Sequence, residues 1–261
     1  MRFVFTVNAS DVSQAYDFAE KLVGTSGASE NISVLDHGNL AKTREITDSI
    51  ADHARGKVAE FGFKQFFKHN FDIITRVDLE VWAGKTNTDD GNDLAEISFD
   101  GKSYRLNHKV DIKGIKSNAE WLLVESHKFW ADVYVVVKIL NIPVGREFEA
   151  NPFPYRDKNW KTEICGWVKR TDIVYRENEP WFLYPHGSEL YKTHNLPRIG
   201  HDRRPKEYQE KLREMRLDKL KVRLMAPMNY GYPVIWLHNT DESWRNFARR
   251  VKDEAKLGGS S

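Results

Sequence analysis

The stretch KVDIKGIKS, residues 109–117, sets Asp111 and Lys113 two residues apart, interleaved with Val110 and Ile112. Side chains of a β-strand alternate between its two faces. Val110 and Ile112 would therefore point into a core, while Asp111 and Lys113 share the opposite face. Such a face is either half-solvated sheet surface or one edge of an active site. Two other acid–x–lysine pairs, Asp100/Lys102 and Glu254/Lys256, lack the flanking apolar alternation. The first falls on an expected turn and the second near the C-terminal tail.

Outward from this stretch, DLAEISF (93–99) and YRLNHKVDIKGI (104–115) read as two strands joined at Asp100-Gly101, a favoured hairpin dipeptide. ADVYVVVKIL (131–140) is a nearly continuous valine-rich run, as expected of a strand covered on both faces. Further strands are expected in RFVFTV, DIITRVDLEVWA, EWLLVE, EICGWV and YPVIWLHN. Helices are expected over DVSQAYDFAEKLVG, over 41–70 with a break at Gly56, over 204–224, and over DESWRNFARRVKDEA. Strands mixed with helices predict an α/β fold, a mixed central sheet flanked by helices.

Composition sets the outer bounds. At 261 residues, with 40% hydrophobic and 12% aromatic residues, the chain can bury a sizeable core. Charged residues reach 30% but nearly cancel at net +2, so any basic surface must be local. The single cysteine, Cys165, excludes an intrachain disulfide and a cysteine-rich zinc site, and suits a reducing compartment. No run approaches the ~18 apolar residues of a membrane span, and MRFVFTVNAS is too short for a signal peptide. A cytoplasmic protein of a prokaryotic or phage-infected cell, with no membrane partner, is expected.

Around the strand pair, chemistry-bearing residues accumulate. Asp89, Asp90 and Asp93 lie just upstream, and antiparallel pairing would bring that end near Asp111. Two close carboxylates repel unless a cation sits between them. Hard oxygen ligands favour Mg²⁺, and Lys113 would point at the same place. A tight turn at Asp100-Gly101 sets Asp90 opposite Asp111, whereas a bulge or longer turn sets Asp93 there. Asp93 opens the apolar strand and is preferred, with Asp90 as second choice; Asp89 and Asp90 otherwise read as loop-solvating residues. Glu60, in GKVAEFGFKQFF, shares a helix face with Phe63 and Phe67, or bonds to Lys57 or Lys64 on its own helix. His186, His194 and His201 have no zinc spacing and read as a polar loop.

DDGNDLAEISFDGKSYRLNHKVDIKG, with the glutamate helix upstream, resembles the PD-(D/E)xK nuclease superfamily, the restriction-endonuclease-like fold. The continuations WLLVESHKFWADVYVVVKIL and EICGWVKRTDI are similar in layout to restriction-type and phage-encoded members. The resemblance covers roughly residues 50–200. It implies that Asp93 is the first acid, Asp111 the second, Lys113 the motif lysine and Glu60 the helix acid. These four would be catalytic, with Asp93, Asp111 and Glu60 holding Mg²⁺, for which Mn²⁺ would substitute. Asn92 stands where the name-giving proline would be.

The implied activity is Mg²⁺-dependent hydrolysis of phosphodiester bonds in double-stranded DNA, by a type II restriction-type endonuclease acting as a homodimer. A structure-reading phage or repair nuclease, and an inactive DNA-binding module of the same fold, are the alternatives. Candidate DNA contacts are Lys116, His127, Lys128, Arg198, Arg203 and Arg204. Residues 51–200 would form the catalytic core. Residues 1–50 and 201–257 would be extensions for dimer and DNA contacts, and 258–261 a flexible tail.

Overall fold

A computed structural model describes residues 2–25, 46–81, 92–125, 128–174, 183–184, 189–190, 223–224 and 229–258. In chain order the elements begin with β1 (Phe3–Val7), α1 (Ala9–Thr25), α2 (Ile46–Phe71), β2 (Ile74–Thr75), β3 (Glu96–Phe99) and β4 (Lys102–Arg105). Then come β5 (Val110–Lys116), β6 (Trp121–Glu125), β7 (Val133–Ile139), α3 (Arg146–Ala150), β8 (Trp160–Lys169) and α4 (Arg170–Val174). The chain closes with β9 (Leu183–Tyr184), β10 (Glu189–Leu190), β11 (Arg223–Leu224), β12 (Asn229–Pro233) and α5 (Asp241–Gly258).

The central sheet is mixed, in the order β1-β8-β7-β5. β5 runs parallel to β7, and β8 is antiparallel to both β7 and β1. The fold is therefore α/β with a mixed central sheet, as expected. The valine run of β7 explains the layering. Val133, Val135, Val137 and Ile139 enter one core, while Tyr134 and Val136 enter a second core on the other face. The first core is roofed by α2, and the second by the β6-β12-β9 sheet through Leu122, Val124 and Tyr232.

Helix α2 carries apolar side chains over a wide arc, with Ile50, Ala54, Val58 and Phe61 on one flank and Ala59, Phe63, Phe66 and Phe67 on the other. A helix this apolar must be covered on more than one side. It lies between α1 and the sheet. Two glycines set how closely it sits. A Cβ on Gly62 would fall 2.4 Å from Thr162 Oγ1 of β8, and one on Gly114 of β5 would fall 2.7 Å from the Arg55 carbonyl oxygen. Gly56 does not break the helix, because nothing crowds it and the hydrogen-bond ladder continues through it.

Other expectations need correction. The expected N-terminal extension is built into the sheet, since β1 pairs with β8 from Phe3↔Ile164 to Val7↔Trp160. The C-terminal extension likewise joins the main core. Trp244 of α5 packs 4.7 Å from Phe66, and Phe247 packs 5.8 Å from Phe67, ring centre to ring centre. Burying such an aromatic contributes about 1.5–3 kcal/mol, so neither end is an appendage. YPVIWLHN is not one strand. Pro233 ends β12, and Val234–Trp236 turn as a 3₁₀ helix. Within the described part of DIITRVDLEVWA only Ile74–Thr75 pair. The expected helix at 204–224 lies outside the described residues, except for β11 at its end.

The most consequential difference is in YRLNHKVDIKGI, which is two strands rather than one. The hairpin turn is where it was expected, with Asp100 and Gly101 both at positive φ (51° and 72°), the geometry of a tight two-residue turn. The β3–β4 ladder then stops at Glu96↔Arg105, and residues 106–109 run irregularly into β5. His108 anchors that irregular run. Its Nδ1 lies 3.5 Å from Asp132 Oδ2 and 3.5 Å from Glu254 Oε2, so it ties the segment to the start of β7 and to α5.

Candidate active site

β5 is the edge strand of the central sheet, and its outer edge is covered by residues 92 and 93. The Asp93 amide donates to the Val110 carbonyl at 2.9 Å. The Ile112 amide donates to Asp93 Oδ2 at 2.6 Å. Asn92 fastens the same join. Its Oδ1 accepts from the Val110 amide (3.1 Å) and the Leu94 amide (3.2 Å), and its Nδ2 donates to the Leu106 carbonyl (3.0 Å). The irregular run 106–109 thus does what a bulge would have done. It slides the register so that Asp93 lies beside Asp111 despite the tight turn. A proline at 92 would have no side-chain donor or acceptor for these bonds.

Val110, Ile112 and Gly114 face α2, as the alternation predicted, and Asp111 and Lys113 face the other way. Lys113 Nζ lies 2.7 Å from Asp111 Oδ2, and the Asp111 side chain is only 10% exposed. Tyr134 is the cross-strand neighbour of Asp111. Burial and then the Asp111 charge push its phenol well above the ordinary range. Its hydroxyl donates to the Lys128 carbonyl at 3.4 Å.

The electrostatics follow from this crowding. Burial first, and then the Asp111 charge, push the Asp93 carboxyl up to about 7. The Ile112 amide, Lys57 and Lys113 pull it back without cancelling the rise. Two carboxylates held together this way are short of positive charge. That donor set fits a hard divalent cation. Mg²⁺ commonly takes one or two carboxylates and completes its shell with water and substrate phosphate. Asp93 and Asp111 are the residues that would hold it.

Glu60 enters from α2, where it is buried. Its Oε1 and Oε2 lie 2.9 and 3.0 Å from Lys57 Nζ. Among the described residues no three histidine, cysteine or carboxylate side chains converge as a ligand group. Glu60 is held by Lys57, one of the two partners its helix spacing allowed. Lys57 is the partner that fixes the buried Glu60 carboxylate. The readable signal is its place three residues before Glu60, one turn of the helix away. Asn92 was seen only as a missing proline. An Asn at a turn also accepts from the backbone amide two residues on, as Asn92 does here from Leu94.

Of the expected DNA contacts, Lys116 pairs with Glu149 at the far end of β5. Lys128 is exposed, in the segment that receives the Tyr134 hydroxyl. His127, Arg198, Arg203, Arg204 and the alternative acid Asp90 lie outside the described residues, as do Asp89 and the histidine segment 185–204 apart from Glu189 and Leu190. No helix among the described residues is long and apolar enough to cross a membrane.

Comparison of the chain with models of protein families, with curated proteins and with solved structures finds no match.

Proposed function

We propose that the protein is a Mg²⁺-dependent endonuclease that hydrolyses phosphodiester bonds in double-stranded DNA, with β5 as its catalytic edge. The observation that carries this reading is the juxtaposition of Asp93, Asp111 and Lys113. Two repelling acids and a lysine meet across an irregular join fixed by four hydrogen bonds that run through Asn92 and Asp93. This is the acid, acid and lysine set that the PD-(D/E)xK resemblance implies. A bound Mg²⁺ would supply Lewis acidity and a water acidified toward neutral pH. Asp93 and Asp111 would hold and orient that ion. Lys113 is tethered to Asp111 and would offer its ammonium protons to a phosphate oxygen as negative charge develops there. The β6-side face, where Asp111 and Lys113 point, would take the scissile phosphate. Cutting of a short specific site by a two-fold dimer, in the cytoplasm, is the form of this activity we favour.

The test is incubation of long mixed-sequence duplex DNA with Mg²⁺, with Mn²⁺ and with EDTA. Discrete fragments that need the metal are expected. A metal-dependent smear would keep the site and replace sequence-specific cutting by structure-reading or nonspecific cleavage. Binding of duplex DNA with equal affinity with and without Mg²⁺, and no cleavage, would identify an inactive DNA-binding module instead.

A further inference from the structure

We infer that Lys109 and Arg170, which bracket Trp130 where β5 and β7 begin, grip the phosphate backbone of the DNA substrate and lead its strand onto the Asp111–Lys113 face of β5. The inference rests on the nuclease reading above and names where that substrate is held.

Three observations carry it. First, the register sets Lys109 beside the site. Its carbonyl accepts from the Asp132 and Val133 amides (2.8 and 3.2 Å), so the pairing of β5 with β7 continues through it. Alternation then lines Lys109, Asp111 and Lys113 along one face of the strand. A contact agrees: Lys109 Nζ stands 5.1 Å from the centre of the Trp130 ring, and Trp130 packs against the second core, on that same face. Second, Arg170 reaches the same residue from the end of β8. Its amide donates to the Asp132 carbonyl (2.9 Å), and its Nη1 donates to the Trp130 carbonyl (3.5 Å). Tyr134, in the strand that follows, lies opposite Asp111 in the ladder. The two cations thus stand at the start of the strand pair that carries the acid. Third, neither has an acidic side-chain partner among the described residues, and both are partly exposed. Lys113 is tied to Asp111 and Lys116 to Glu149. Asp132, the acid at this junction, accepts from the Lys109 amide (3.0 Å) and faces His108 Nδ1 (3.5 Å).

This is the chemistry of a backbone contact. A phosphate oxygen accepts from an ammonium or a guanidinium whatever base it carries, and such contacts fix where a strand lies. The indole holds the Lys109 ammonium in place through its ring face, which leaves the ammonium protons for an acceptor. Same-face residues two apart in a strand are separated by about 6.6 Å. Lys109 therefore serves a phosphate beside the scissile one, and Lys113 the scissile one itself. Lys128, exposed two residues before Trp130, extends the basic surface on this side.

The experiment measures binding of a short labelled mixed-sequence DNA duplex to the full chain by fluorescence anisotropy over a salt series, in EDTA and in Ca²⁺. The forms are the wild type, Lys109→Gln, Arg170→Gln, the double variant, Lys109→Arg and Lys161→Gln. Lys161 is exposed at the opposite end of β8 and controls for the loss of one charge. Lys109→Gln and Arg170→Gln should each lower the slope of log affinity against log salt by about 0.9, and weaken binding about five- to tenfold near 0.1 M salt. The double variant should lose about twice as much slope, while Lys109→Arg and Lys161→Gln stay within about twofold of the wild type in affinity. A purely structural role would move the melting temperature and leave the salt slope alone. A wild-type slope in folded Lys109→Gln or in Arg170→Gln, or an equal loss in Lys161→Gln, would overturn the inference. Arg170→Gln decides the matter if Lys109→Gln fails to fold. No salt-dependent binding of duplex by the wild type in either condition would instead remove DNA as the substrate, and with it the nuclease reading.

Discussion

Two lysine–carboxylate pairs sit three residues apart on β5. Lys113 meets Asp111 at 2.7 Å, and Lys116 meets Glu149 of α3. Taken singly they are alike. Their neighbours differ. Beside Lys113–Asp111 stands a second acid, Asp93, whose carboxyl is pushed up to about 7. Beside Lys116–Glu149 stands a cation, Arg55, itself paired with Asp52 and depressed chiefly by burial. The second pair is electrically complete, and the first lacks a positive charge. An acid–lysine pair thus becomes a candidate site through what the fold adds to it, not through the pair itself.

The largest effects that would break this comparison are on cleavage. Asp111→Asn and Lys113→Met should each lower Mg²⁺-dependent cleavage by about 10²–10³-fold, the usual cost of a group that stabilises transition-state charge. Glu149→Gln should leave it within a few-fold. Equal losses at both pairs would erase the distinction.

Next comes metal-linked stability. Mg²⁺ at about a hundred times its dissociation constant should add about 2.7 kcal/mol to unfolding. Thermal denaturation should show this rise in the wild type and in Glu149→Gln, and not in Asp111→Asn. The Glu149→Gln change itself should cost at most about 1 kcal/mol, as for other part-exposed ion pairs.

Gly114→Ala sharpens the account of how α2 is placed. Its Cβ would meet the Arg55 carbonyl at 2.7 Å, so α2 must shift, at about 1–3 kcal/mol. Urea denaturation measures the loss. An unchanged midpoint would mean that the helix does not depend on this approach. Asn92→Ala should cost a similar amount, about 1–3 kcal/mol, by leaving backbone groups at the β5 edge without partners, and should also weaken Mg²⁺ binding through Asp93.

What could be read in the chain, and what could not, divides along the same strand. The alternation Val110, Asp111, Ile112, Lys113 is local, and the faces it predicts are those observed. The β7 run is also local and legible. The neighbour that completes the site is not local. Asp93 reaches Asp111 only because the ladder breaks after Arg105, and regular hairpin counting pointed to Asp90. The break depends on Asn92 and on His108, which are ordinary loop letters until their partners are known. The joining of β1 to β8, across more than 150 residues, left no local periodicity to read. Pro233 did leave a signal, and it marks the point where an apolar run stops being a strand.

The smallest expected effect concerns His108. Burial, more than any charge, holds its imidazole below the usual histidine range; Glu254 and Asp132 oppose that, and Arg250 and Lys169 reinforce it. The folded state then prefers the neutral ring. Its contribution to stability is complete above the ordinary value of 6.5 and is lost as pH falls below it. The melting temperature of the wild type should fall over that range more than that of His108→Gln. Parallel curves would remove His108 from the pH response.

The most direct test of the central claim uses supercoiled plasmid and the four variants Asp111→Asn, Lys113→Met, Lys116→Met and Glu149→Gln, with Mg²⁺ and with EDTA. Nicking or linearisation that requires Mg²⁺, is lost in the first two and persists in the last two at low salt, is the predicted result. No cleavage by the wild type, or cleavage indifferent to Asp111 and Lys113, would return this edge of β5 to an ordinary charged sheet margin.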